Sequence, residues 1–280
     1  MTLRRSLLFV PGNNEKMLRK AISDNLQCDC VIFDLEDSVP LEEKAKARKL
    51  IHRILEEAYH SQSNQNKKQL YVRINQLDHP LAKSDIAIFA KEDAIANFVV
   101  PKADQRGIKN LFRKSGKHIL PIIESASGFL HMEEIAGSNG VDAMAYGAAD
   151  MALSLRGSVE SYRNNEYIVA RLAIVARAYG LDPIDQVFFD LNNPEGLRKE
   201  ASKAKGLGYS GKLLIHPSQI EITNEIFSKW SPEERDWARQ VIQAYEDSLK
   251  KGSKGAIRLN GQLVDAVHYK LAKDILLQSI

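Results

Sequence analysis

Three carboxylates fall within four residues at Asp34-Leu-Glu36-Asp37, directly after the apolar run Val31-Ile-Phe33. Like charges this close raise one another's pKa unless Arg, Lys or a metal neutralises them. The segment therefore reads as part of an ion-binding or acid–base site; capping of a following helix, or plain solvation, is the alternative. Lys44 and Arg48 follow at helical spacing as candidate counter-charges. Two further acids end apolar segments: Glu124 closes HILPIIE and Asp150 closes YGAAD. Jointly they suit a Mg2+ ion that keeps several waters or substrate oxygens, and no Cys/His set accompanies them to favour a softer metal. Either one alone would be explained by a salt bridge or a helix cap. The small residues Gly147, Ala148 and Ala149 let the backbone approach a ligand and offer N–H groups to an anion. Arg73, in YVRIN, is a planar cation suited to gripping a carboxylate or polarising a carbonyl, or to pairing with Glu36 or Asp37.

Other motifs carry less. Gly206-Leu-Gly-Tyr-Ser-Gly211-Lys212 matches G-x-G-x-x-G and nearly matches a phosphate-binding loop. A helical pattern precedes it and the strand-like KLLIHP follows, the reverse of a phosphate cradle, and Leu213 stands where a metal-binding Ser or Thr belongs. A glycine-rich turn from helix to strand is expected instead. His216 reads as an acid/base or, preferably, as a hydrogen-bonding scaffold. Lys102 of VVPK could form a Schiff base, but nothing beside it marks it as activated.

What these residues share is position, because each follows a short apolar, β-branched run bounded by turn residues. Eight such runs are read, at 7–10, 31–33, 71–74, 98–100, 119–123, 143–146, 184–187 and 213–215. Their spacing of roughly 30 residues is one β–α–β step. Helical periodicity fills 14–26, 41–59, 108–113, 129–136, 166–179 and 194–205. Alternation of this kind predicts an α/β fold with a parallel sheet, and eight units favour a closed (β/α)8 TIM barrel over an open doubly wound sheet. Active sites of that fold lie where strands end. One mouth would then collect Pro11-Gly12-Asn13, the Asp34–Asp37 acids, Arg73 with Asn75, Lys102, Glu124, Asp150, Asp185 or Asp190, and His216. The polar stretch SQSNQNKKQ at 61–69 is expected to be a solvated loop. Beyond the eighth unit come a charged helix at 232–250, a hairpin turning at Asn260-Gly261 and a last helix from about Val267. The expected organisation is a catalytic barrel at 1–230 and a helix–hairpin–helix extension at 231–280, placed to cover the mouth or to pack on a neighbouring subunit.

Composition narrows the class. In 280 residues, 39 basic side chains nearly balance 36 acidic ones, and 44% hydrophobic content supports a large core, which excludes disorder. No dense Lys/Arg run interleaved with aromatics occurs, so no nucleic-acid partner is expected, although a sequence pI near 8.7 leaves a polyanionic ligand open. Cys28 and Cys30 are too close for an unstrained bridge and too few for structural zinc, which points to a reducing compartment. The opening apolar stretch is too short for a secretory signal, and no run approaches a membrane span. A cytoplasmic protein is expected.

Taken in order, RSLLFVPGN, VIFDLEDSV, Ala47-Arg48, YVRIN, VVPK, PIIES, YGAAD and LLIHPSQI closely resemble the citrate lyase β-subunit-like family of aldolases and lyases, over nearly the whole chain. The resemblance implies a TIM barrel, commonly trimeric, that binds Mg2+ and cleaves 3-hydroxyacyl-CoA thioesters or forms them by the reverse condensation. By position it implies that Glu124 and Asp150 are metal ligands, Arg73 the substrate-binding arginine, and Glu36 and Asp37 an acidic pair near the metal waters. It further implies that the backbone of Gly147, Ala148 and Ala149 holds a keto-acid carboxylate, and that Arg5, Lys16 and Arg19 meet CoA phosphates. The segment Asn260-Gly-Gln-Leu-Val-Asp265 resembles one that, in malyl-CoA-type lyases, brings an aspartate from a neighbouring subunit over the active site. That makes Asp265 the catalytic acid of an expected homotrimer. The departure is Ala266-Val267, where relatives carry a larger apolar residue and proline. Within that class the expected substrate is citramalyl-CoA, cleaved to acetyl-CoA and pyruvate, although no residue of the sequence decides between pyruvate and glyoxylate. The alternatives are malyl-CoA cleavage to acetyl-CoA and glyoxylate, a citryl-thioester lyase β subunit, and a non-catalytic CoA-ester binding protein.

Overall fold

The computed structural model describes residues 3–60, 68–228, 230–250 and 255–277. Eight parallel strands, β1 (Ser6–Pro11), β2 (Cys30–Asp34), β3 (Gln69–Arg73), β4 (Ile95–Val100), β5 (His118–Ile123), β6 (Ala143–Tyr146), β7 (Asp182–Asp185) and β8 (Gly211–Leu214), pair in sequence order. β8 returns to β1, with Leu7 opposite Leu213, and closes the barrel. The sequence makes this possible because strands such as Cys30–Asp34 are buried on both faces, as parallel strands between a barrel core and a helix layer must be. Inside the barrel Leu7, Ile32, Tyr71, Leu120, Ile184 and Leu213 pack together, and Ala143 and Ala145 leave room for larger neighbours. At the end where strands begin, the Arg4 guanidinium binds Asp142, Asp182 at 3.1 Å and the Tyr71 hydroxyl at 2.9 Å.

Around the barrel run α1 (Glu15–Ile22), α2 (Lys44–His60), α3 (Pro80–Phe89), α4 (Gln105–Ser115), α5 (Ala126–Leu130), α6 (Met132–Ala136), α7 (Ala148–Ser154), α8 (Val159–Arg163), α9 (Glu166–Ala178), α10 (Pro194–Gly206) and α11 (Ile220–Ser228). Their starts carry sequence-encoded caps: the Asn14 side chain accepts from Met17 N, and Asp104 accepts from Arg106 N and Gly107 N. The helix α10 precedes the glycine-rich turn and β8 follows it, which is the helix-to-strand order expected for 206–211.

Three expectations change. β7 begins two residues earlier than 184–187, because Asp182-Pro183, turn-like in sequence, pairs with Ala143 and Met144 of β6. Asp185 therefore lies within the sheet rather than beyond it, and its carboxylate meets Lys212 Nζ at 2.6 Å, out of reach of the mouth. α3 carries no strong amphipathic signal and was not expected; Pro80 at its first turn and the His79 cap start it. The stretch 61–69 is reached only in part: Gln69 belongs to β3, and 61–67 lie outside the described residues.

The chain divides into two compact units, Met1–Asn224 and Glu225–Ile280. In the second, α12 (Pro232–Lys250) packs on α13 (Ala266–Leu277) through Ala238, Val241, Tyr245, Ala272 and Ile275, with the Tyr245 and Tyr269 rings stacked at 4.9 Å. The hairpin of β9 (Ile257–Leu259) and β10 (Gln262–Val264) turns at Asn260 and Gly261, with φ of 49° and 82°. Positive φ at both central residues is what a two-residue turn of this type requires. Cys28 and Cys30 are buried free thiols. No helix among the described residues is long and apolar enough to cross a membrane.

Candidate active site

The strands deliver their terminal residues to one end of the barrel, around a cavity of about 390 Å³ lined by Phe9, Asp34, Arg73, Glu124, Gly147 and Asp150 among others. Arg73 and Asp34 are direct partners in the β2–β3 register. Register therefore puts the guanidinium on the carboxylate: Nε donates to Oδ1 and Nη2 to Oδ2, both at 2.6 Å. Asp34, 1% exposed, also accepts from the backbone N–H groups of Glu36 and Ser38. Burial alone would raise its pKa, but Arg73 and these N–H groups outweigh that and hold it below the usual carboxylate range. The remaining Arg73 nitrogen, Nη1, reaches Glu36 at 3.2 Å and Asp37 at 3.4 Å, and the guanidinium lies 4.7 Å from the Phe9 ring.

Glu36 carries the charge pattern onward. One oxygen faces Arg73 and the other faces Lys102 Nζ at 3.2 Å, and Lys102 Nζ lies 3.4 Å from Asp150. Burial pushes Glu36 up to about 7 in spite of the two cations. Lys102 stands two residues beyond β4, and its backbone N–H donates to Glu124 Oε1 at 2.7 Å. Glu124 is pushed up to about 8, first by burial and then by Asp150. Its place depends on Gly147, since a Cβ there would fall on Glu124 Oε2 and lie 2.7 Å from Glu124 Cβ. Gly147 is also the N-cap of α7, so the first-turn N–H groups of Ala148 and Ala149 border the cavity beside Asp150.

Buried Glu124 and partly exposed Asp150 line one cavity, near enough for Asp150 to raise Glu124, and with one N–H on Glu124 and one ammonium beside Asp150 they make a donor pair suited to a hard divalent cation. Among the described residues no group of three or more His, Cys, Asp and Glu side chains could hold a metal ion. A pair of carboxylates suits an ion that takes its other ligands from water and substrate.

Of the residues singled out in the sequence, the structure gathers Glu36, Asp37, Arg73, Glu124, Gly147, Ala148, Ala149 and Asp150 at this end of the barrel. Arg5 is not among them. It precedes β1, at the opposite rim, where it binds Asp29 at 2.6 Å; the six residues of β1, about 20 Å at strand rise, separate it from the mouth. Lys16 and Arg19 lie on α1, and Arg19 is engaged by Glu15 and Glu57, both at 2.8 Å. Arg48 does not neutralise the acids after β2 but pairs with Asp85 at 2.5 Å, and Asp85 also binds Asn75. Lys44 donates to the carbonyls of Leu35 and Glu36 and so holds the acidic loop through its backbone. His216 caps a single 3-10 turn, its ring accepting from Ser218 N at 3.2 Å, which is the scaffold role. Asp265 belongs to the second unit and caps α13; its carboxylate accepts from Val267 N and contacts His268 Nδ1 at 2.7 Å. The His268 contact holds it below the usual carboxylate range. Sequence reasoning missed Asp34 as the chief partner of Arg73, and Lys102 as the link between Glu36, Glu124 and Asp150. For Asp34 the signal was its place at the strand end, level with Arg73.

A closed parallel barrel that sets carboxylates and a carboxylate-anchored arginine at its strand ends defines a TIM-barrel protein with its charged groups gathered at the face where that fold carries active sites. The chain belongs to the HpcH/HpaI aldolase/citrate lyase family, whose model matches residues 5–217. It is 34% identical to a (3S)-malyl-CoA thioesterase of Cereibacter sphaeroides over 277 residues, 97% of this chain and 93% of that one. It is 37% identical to a citrate lyase subunit beta of Leuconostoc mesenteroides subsp. cremoris, covering 94% and 89%. With a mitochondrial citramalyl-CoA lyase of Rattus norvegicus it shares 29% identity, covering 97% and 85%. Among solved structures, the protein CitE of Mycobacterium tuberculosis, in complex with magnesium, acetoacetate and coenzyme A, superposes with a TM-score of 0.83 at 26% identity, covering 99% and 98%.

Proposed function

We propose that this protein is a Mg2+-dependent carbon–carbon lyase of CoA thioesters, with citramalyl-CoA, cleaved to acetyl-CoA and pyruvate, as its substrate. The observation that carries the reading is buried Glu124 set against Asp150, in the same cavity as Arg73. Relatives named for citramalyl-CoA, malyl-CoA and citrate, and a fold neighbour holding magnesium and coenzyme A, support the class. Glu124 and Asp150 would hold the ion. When bound, Mg2+ supplies Lewis-acid stabilisation of the charge that develops on the substrate hydroxyl oxygen as its proton leaves.

The chain's own groups do the rest. Arg73, fixed in orientation by Asp34, donates to the thioester oxygen as the bond to the hydroxyl carbon breaks and its electron pair forms the acetyl-CoA enolate. The Gly147 N–H is held by the Ile123 carbonyl at 3.1 Å, so of the Gly147–Ala149 backbone it is the first-turn N–H groups of Ala148 and Ala149 that receive the carboxylate of the departing 2-oxo acid. Asp265, from a neighbouring subunit of a homotrimer, starts as a carboxylate, takes up the proton that leaves the hydroxyl and returns it to the enolate carbon in cleavage; in synthesis it removes the carbon-bound proton and passes it to the new alkoxide. Its lowered pKa favours the proton-removing form. Lys16, on the exposed side of α1, remains the proposed contact for CoA phosphates. Ile122, Val187 and Leu213 give the cavity an apolar wall for the methyl group of pyruvate. One methyl is worth only about 1–3 kcal/mol in such a pocket, so malyl-CoA is the second substrate to test.

Acetyl-CoA release by the purified protein, with citramalyl-CoA, malyl-CoA and citryl-CoA each compared with and without EDTA, tests the proposal. Fastest EDTA-sensitive cleavage of citramalyl-CoA is expected; release of free CoA instead of acetyl-CoA, or no release from any ester, would overturn it. Gly147→Ala is expected to weaken Mg2+ binding at least about fivefold in calorimetric titration, since overpacking of about 1–3 kcal/mol falls directly on Glu124.

A further inference from the structure

Lys102 occupies a strained position for a side-chain-bearing residue. Its φ is 45°, in the left-handed region that a glycine would enter without penalty. From there one residue makes three contacts with the acids at the mouth. The backbone N–H binds Glu124 Oε1 at 2.7 Å, and the ammonium spans Glu36 at 3.2 Å and Asp150 at 3.4 Å. The left-handed turn is what lets backbone and side chain of the same residue address acids from β5, β2 and β6 together.

We propose that Lys102 is a positioning residue whose ammonium stands in for the divalent cation, holding Asp150 toward Glu36 until the metal arrives, and that metal binding requires its release from Asp150. The inference rests on the reading that Glu124 and Asp150 hold the ion. Lys102 Nζ already lies 3.4 Å from Asp150, so an ion held by that carboxylate would meet a like charge there, and the ammonium and the metal would compete for it. The same residue keeps Glu124 placed through its backbone, which no side-chain substitution removes. Lys102 thus assembles the metal-free site and at the same time sets an upper limit on metal affinity, which leaves the ion exchangeable.

Calorimetric Mg2+ titrations of wild type, Lys102→Met, Lys102→Arg and Glu124→Gln test this. Lys102→Met keeps the chain length and the backbone strain and removes only the charge, so it is expected to bind Mg2+ at least about tenfold more tightly, by loss of the repulsion. Lys102→Arg should stay near wild type. Mg2+ binding that is lost in Glu124→Gln but unchanged or weaker in a folded Lys102→Met overturns the role of Lys102 alone. Equal binding by wild type and Glu124→Gln places the ion elsewhere and overturns the metal assignment, and this inference with it. A second measurement needs no variant: acetylation of Lys102 in the wild-type protein, read by mass spectrometry, should speed up when Mg2+ saturates the site. An unchanged rate also overturns the proposal.

Discussion

Glu124→Gln is expected to lower EDTA-sensitive turnover by at least roughly 1000-fold, the equivalent of about 4 kcal/mol of transition-state stabilisation, while leaving the protein folded. The amide keeps the size of the side chain and can still accept from Lys102 N; only the negative charge is lost. The same residue sets a pH dependence. Burial, reinforced by Asp150, raises Glu124 to about 8, so near neutrality the metal-free carboxyl is largely protonated and Mg2+ must displace that proton. Apparent Mg2+ affinity is therefore expected to rise about tenfold per pH unit up to about pH 8 and then to level off. For stability the sign is fixed by the raised folded-state pKa. Its contribution is full below the unfolded value near 4.5 and is lost as pH rises through about 8. The metal-free protein should thus melt at progressively lower temperature from pH 5 to 8, Mg2+ should offset the loss, and Glu124→Gln should flatten the slope. Glu36, raised to about 7, adds in the same direction, so Glu36→Gln separates the two. Equal Mg2+ affinities at pH 6 and pH 8 would refute the assignment of Glu124.

Arg73→Lys is expected to cost roughly 100–1000-fold in kcat, the range for removing one donor from an oxyanion site, with little change in Mg2+ affinity. A lysine cannot reproduce the two-pronged contact with Asp34, nor its planar packing beside Phe9. Asp34 acts through Arg73. Asp34→Ala strips a buried guanidinium of its closest partner and is expected to destabilise the fold by about 3–5 kcal/mol and to lower kcat by roughly 100-fold through loss of orientation. Asp37 supplies the contrast: it reaches the same arginine at 3.4 Å, but its side chain is 58% exposed. Asp37→Ala should cost less than about 1 kcal/mol in stability. Thermal melts of the two variants give the comparison directly, and equal losses would mean that the bidentate contact does not anchor Arg73.

Most of the site's residue types could be read in the chain because the signal is local. An acid or an arginine at the close of a short apolar run lies at a strand end, or just beyond it, wherever that strand pairs. This located Arg73, Glu124, Asp150 and the Asp34–Asp37 group, and the asparagine–glycine hairpin at 260–261 was legible for the same reason. What local pattern could not supply was partnership. Three carboxylates stood available to Arg73, and Asp34 was selected because the β2–β3 register sets it level with Arg73. Arg48 looked like counter-charge for those acids from its helical spacing, yet it turns to Asp85 on α3. Arg5 lay among basic residues near β1 in sequence, but the direction of that strand places it at the far rim.

By itself, then, the sequence determined the alternation that builds a closed barrel and the order in which charged groups follow its strands, because both depend on periodicity and burial within a few residues. Only the tertiary structure decided which charges meet. The start of β7 at Asp182, which withdraws Asp185 into the helix layer against Lys212, follows from pairing with β6. The left-handed turn at Lys102, which joins Glu124, Glu36 and Asp150, brings together side chains contributed from β2, β5 and β6. Those contacts exist because β8 closes on β1 across some two hundred residues of chain, and no short-range pattern encodes the register of a closure that distant.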